Sequence, residues 1–104
     1  MLIINAEVRV GDGAIGPVKQ AIATMEIESR KEPGCQVYAF SVDVNDHNML
    51  RITERWDSMA DLEAHFGMPH MAAFSQALGQ AEILSMDVKA FEIAAEVALP
   101  GSQA

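Results

Sequence analysis

The sequence predicts an α+β fold: one antiparallel sheet with its helices on a single face, in the order βαββ(αα)β. Three observations carry this. The chain opens with a segment of period two, a segment of helical period follows, and two β-rich runs are then joined by a short polar turn. A length of 104 residues fits one domain. That domain is expected over residues 2–95, with 96–104 as a C-terminal tail.

From Leu2 to Val10, the residues Leu2, Ile4, Ala6, Val8 and Val10 are all apolar and their alternates are mixed, which reads as a strand with one face on the core. Gly11-Asp12-Gly13 breaks it. Ile15, Val18, Ile22, Met25 and Ser29 then recur at the spacing of an amphipathic helix, with Pro17 early, where a missing N–H costs nothing. Lys31-Glu32-Pro33-Gly34 ends that helix.

Cys35 to Val44 is β-branched and aromatic and reads as a strand. Asn45-Asp46-His47-Asn48 reads as its turn and Met49 to Trp56 as the returning strand. Leu50, Ile52, Glu54 and Trp56 share one face of that strand. Asp57-Ser58 offers N-cap chemistry for a short helix to about Phe66. A second helix runs from about Pro69 to Leu78, closed by Gly79, and Ile83 to Ala95 forms a long last strand. Pro100 to Ala104 is expected to be disordered. Two split βαβ halves around an antiparallel sheet make the ferredoxin-like arrangement. The face without helices carries Ile3 and Met49 among Asn5, Glu7, Arg9, Arg51, Thr53 and Arg55. It is a candidate seam between two copies.

Composition excludes several classes. Seven basic residues against fifteen acidic ones give a net charge of −8, so no basic patch exists for nucleic acid or an anionic membrane. Cys35 is the only cysteine, which rules out an intrachain disulfide framework. The apolar run at the N-terminus is too short for a signal peptide and no stretch is long enough to span a bilayer, so a cytoplasmic location is expected.

Glu32-Pro33-Gly34-Cys35 before the second strand, Glu54-Arg55-Trp56-Asp57 ending the third, and the spacing of Leu62, His65, Pro69-His70 and Phe74 resemble the antibiotic biosynthesis monooxygenase (ABM) family. The resemblance covers about residues 2–95. It implies a homodimeric α/β barrel with a cleft between the helices and the sheet of each subunit. It also implies oxidation of electron-rich aromatics such as quinols and polyphenols by molecular oxygen, with no cofactor. Triplet oxygen reacts slowly with closed-shell molecules, so the substrate must be made electron-rich by deprotonation. The protein then supplies a base, donors for the oxyanion and a dry pocket.

His65 and His70 are the candidate proton-transfer groups, because histidine titrates near neutral pH. Trp56 is a candidate flat wall with an N–H donor, and Glu54 a candidate to orient a histidine or fix a substrate hydroxyl. Tyr38, Phe66, Met71, Phe74 and Asn5 are candidate substrate-binding residues. The competing structural roles are a core anchor for Trp56, a cap or ion pair for Glu54, and turn closure at Gly67 for either histidine. No metal is expected, since His65 and His70 lack the HExxH spacing, and no Gly-rich loop follows a strand to hold a nucleotide. The alternatives are a non-catalytic ligand-binding dimer and a lactone isomerase-like enzyme. A heme-binding or heme-degrading protein is less favoured, because the position of the axial histidine in that similar branch falls near Ser75.

Overall fold

In the computed structural model, which describes residues 1–101, β1 (Leu2–Val10) is a central strand of a four-stranded antiparallel sheet. It is followed by α1 (Ile15–Ser29), β2 (Cys35–Asp43), β3 (Asp46–Trp56), α2 (Met59–Phe66), α3 (Pro69–Leu78) and β4 (Ile83–Glu92). The strand order β2-β3-β1-β4 is the ferredoxin-like one. The alternation of β1 does what period two requires: Leu2, Ile4, Ala6, Val8 and Val10 are all buried. They lie on the helix-covered face and share one core with Val18, Ile22 and Met25 of α1, whose buried residues also include Ser29. Leu50 and Trp56 of β3, Tyr38 of β2, Leu62 of α2 and Phe74 of α3 complete the core.

Two boundaries differ from expectation. The hairpin turn is shorter than the polar run suggests, because Asp43 pairs with Asp46 and His47 and Asn48 lie inside β3. Side chains hold this tight turn: Asp43 Oδ1 accepts from the Asn45 N–H at 2.8 Å, and Asp46 Oδ1 from that of Asn48 at 3.0 Å. β4 ends at Glu92 rather than Ala95, because its partner there is Leu2, where β1 itself begins. One further bond joins the two segments beyond this point, Ile93 N–H donating to Met1 O at 2.8 Å. Of the tail expected to be disordered, residues 102–104 lie outside the described residues.

α1 also protects the edge of the sheet. Glu26 Oε2 accepts the Phe40 N–H at 2.8 Å and Arg30 Nε donates to the Tyr38 carbonyl at 2.9 Å, so outward groups of β2 are satisfied. The face without helices is laced by ion pairs: Arg51 with Glu7 at 3.1 Å and Asp43 at 2.6 Å, and Arg9 with Asp46 at 2.6 Å. β4 is exposed along nearly its whole length.

Candidate active site

The end of β3 is where the sheet, α2 and the turn after α1 converge. Trp56 is fully buried and Glu54 stands two residues before it on the same face. The indole N–H of Trp56 donates to Glu54 Oε1 at 3.0 Å. Burial pushes the Glu54 carboxyl above its ordinary value, against the opposing pull of the Trp56 hydrogen bond and of His65. Tyr38 lies opposite Glu54 in the β2–β3 register and so shares its face. Burial, with the Glu54 charge second, raises the Tyr38 phenol far enough that it stays an O–H donor at any physiological pH.

Glu54 and Tyr38 open into a cleft of about 480 Å³ between the sheet and α2–α3. Its other walls are Ile4, Ala6, Val8 and Ile52 from the sheet, Leu62, Phe66, Met71 and Phe74 from the helices, and Met86 and Val88 on β4. The lining is overwhelmingly apolar, and the volume suits a small organic molecule. Phe66 is 60% exposed and forms the rim, while Phe74 is a buried part of the wall and packs behind it on Phe40, 5.4 Å between ring centroids. Of the residues expected to bind substrate, Tyr38, Phe66, Met71 and Phe74 meet at this cleft. Asn5 does not: its parity on β1 is opposite to that of Ile4 and Ala6, and it is exposed on the face without helices.

The two histidines take a different position. Among the described residues, His65, His70 and Trp56 are not part of the cleft lining. His65, at the end of α2, is buried against Trp56 and Tyr38, with ring centroids 4.8 and 5.3 Å away. Its Nδ1 lies 2.7 Å from Glu32 Oε2, and the same oxygen is 2.7 Å from Nε2 of His70. Glu32 follows α1 in a tight turn, its N–H donating to Ser29 O at 3.0 Å and its carbonyl accepting from Cys35 N–H at 3.2 Å. Gly34 completes the turn at φ +80°, a conformation glycine adopts without strain.

Glu32 is the residue that sequence reasoning missed as a site group. It stood in the resemblance and in the helix stop, and the signal was its place three residues after the buried Ser29. That spacing continues the inward face of α1 past the helix end. The Cys35 thiol, beside this turn, is raised to about 11 by burial and by the Glu32 and Glu54 carboxylates.

An antiparallel β2-β3-β1-β4 sheet with an apolar cleft under one-sided helices defines a ferredoxin-like α+β protein. The chain belongs to the antibiotic biosynthesis monooxygenase family, whose model matches residues 1–77. A protein of Escherichia coli K12 named probable quinol monooxygenase YgiN is 34% identical over 99 residues, covering 86% of this chain and 94% of that protein. Among solved structures, Rv0793 from Mycobacterium tuberculosis is similar in fold, with TM-score 0.81 and 21% identity over 93% of this chain and 98% of that one. PA3566 from Pseudomonas aeruginosa is also similar, with TM-score 0.80 and 22% identity over 90% of this chain and 94% of that one. Among the described residues, no helix is long and apolar enough to cross a membrane.

Proposed function

We propose that this protein inserts one atom of molecular oxygen into a small electron-rich aromatic, a quinol or polyphenol, in the cleft under α2 and α3, without a cofactor. The observation that carries the reading is an apolar cleft of about 480 Å³ with the raised carboxyl of Glu54 in its wall. The name of the Escherichia coli relative supports the quinol as substrate class.

The chemistry balances on substrate and oxygen alone. Oxidation of a quinol to a quinone releases two electrons, and conversion of a ring C–H to C–OH releases two more. Together they reduce dioxygen, one atom entering the ring and the other leaving as water. Glu54 removes a phenolic proton; its raised proton affinity makes it a stronger base than an ordinary carboxylate. The phenolate passes one electron to oxygen, the two radicals combine at a ring carbon, and the hydroperoxide loses water. Tyr38, held as a donor, stabilises the oxyanion, while Phe66, Met71 and Phe74 hold the ring and exclude water.

The test is oxygen uptake with a panel of hydroquinones and anthrones by wild type, Glu54→Gln, His65→Ala and His70→Ala. Glu54→Gln is expected to lose at least about 100-fold in kcat, and His70→Ala to keep most of its activity. A Glu54→Gln variant as fast as wild type, beside a dead His65→Ala, moves the base to His65. No uptake by wild type on any member rejects the substrate class.

The same reading makes the protein a homodimer joined through the face without helices. Ile3, Met49 and the half-exposed Phe91, which pairs with Ile3, support it. Light scattering after gel filtration is expected to give twice the chain mass, and Phe91→Asp to shift it toward the monomer.

A further inference from the structure

We propose that Glu32, His65 and His70 form a binding site for one divalent transition-metal ion of zinc-like preference, opening away from the substrate cleft. The three ligands come from three segments: the turn after α1, the end of α2 and the first turn of α3. Their ligand atoms all lie within 4.8 Å of one another. Glu32 Oε2 holds both imidazole nitrogens at 2.7 Å, while its other oxygen, Oε1, is buried without a hydrogen-bond partner. A buried carboxylate oxygen with no donor is unfavourable, and a bound cation would satisfy it.

Metal–ligand bonds of about 2.0–2.1 Å place tetrahedral ligand atoms roughly 3.3 Å apart. An ion therefore requires the two hydrogen-bonded contacts of 2.7 Å to widen by about 0.6 Å and the ligand atoms now up to 4.8 Å apart to draw closer, through rotation of the Glu32 carboxylate and of the half-buried His70 ring. Two imidazoles with one carboxylate are a donor set for zinc, cobalt or iron rather than magnesium or calcium, which prefer oxygen alone. The His65 ring is fixed by packing on Trp56 and Tyr38, so its Nδ1 is presented in one direction.

An entry route exists on the far side of this wall. Glu32 and His70 line an open hollow of about 490 Å³ with Glu28, Lys31, Pro33 and Met68. None of these six belongs to the cleft lining, so the proposed ion and the aromatic substrate occupy separate places. A water from the hollow completes the coordination.

The test needs no oxygenase activity. EDTA-treated protein is titrated with CoCl₂, following visible absorption and the fluorescence of Trp56, the single tryptophan, whose ring lies 4.8 Å from that of His65. One Co²⁺ per chain is expected, with d–d bands, stoichiometric quenching and displacement by Zn²⁺. Glu32→Gln and His70→Ala are expected to weaken binding by about 100-fold or more. His47→Ala, which removes an exposed histidine on β3, is expected to bind as wild type does. Circular dichroism and melting without metal keep folding separate, because Zn²⁺ should raise the melting temperature of wild type but not of folded His70→Ala. Failure of wild type to bind Co²⁺ below millimolar, or binding that survives in His70→Ala, overturns the site and leaves a hydrogen-bonded clip.

Discussion

Trp56 donates its indole N–H to Glu54 Oε1 at 3.0 Å, two residues apart on one face of β3, and thereby places a hydrogen-bonded carboxylate at the edge of an apolar cleft. The donor favours the charged carboxylate while burial disfavours it, and burial wins.

Trp56→Phe removes that donor and keeps most of the ring. Glu54 then rises further, and with Glu54 as the proposed base the acid limb of kcat/KM against pH is expected to move upward relative to wild type. On the proposed mechanism the deprotonated carboxylate is the base, so activity is expected to grow as pH climbs through this limb. A limb left in place would separate Trp56 from the titration of Glu54.

Glu54 also couples stability to pH. Its folded form holds a proton at pH values where the unfolded chain has already released it. Its contribution to stability therefore falls as pH rises from the ordinary carboxylate range through the raised value. Urea denaturation from pH 4 to 9 is expected to show a smaller decline in Glu54→Gln than in wild type.

Gly34→Ala is expected to destabilise by about 2 kcal/mol. Gly34 sits at φ +80°, and an added Cβ meets the side chain of Asp61 in the first turn of α2. Asp61 belongs to the N-terminal cap there, its N–H donating to Ser58 Oγ at 3.2 Å. A two-state urea curve measures the loss; a midpoint equal to that of wild type would show that the turn relaxes at no cost.

Cys35 is expected to react slowly with iodoacetamide near neutral pH, because the reactive thiolate is scarce below a value of about 11. Its rate in the folded protein should rise about tenfold per pH unit toward that value. In denaturant it should follow an ordinary cysteine. Matching rates in both states would mean that the turn beside Glu32 leaves the thiol open.

Much of this architecture was legible in the residues. Alternation fixed the buried face of β1, and the helical spacing through Ser29 fixed that of α1, because one-sided burial leaves a periodic trace. Glu54 and Trp56 were placed correctly on the face under the helices, since their neighbours Leu50 and Ile52 are core types. The hairpin turn is shorter than its polar run because polar residues at the end of a hairpin serve a strand as well as a loop. Side-chain capping by Asp43 and Asp46, invisible in composition, set its length.

The sequence by itself thus determined the order of elements, the one-sided helices and the family. Tertiary structure alone decided which residues meet around the cleft and around Glu32. Tyr38 faces the cleft because the β2–β3 register sets it opposite Glu54, and strand parity turns Asn5 away. Glu32 meets His65 and His70 across 33 and 38 residues of chain. Local spacing carries no information about such an encounter; it exists only because packing of α2 and α3 beside the turn after α1 brings three separate segments to one carboxylate.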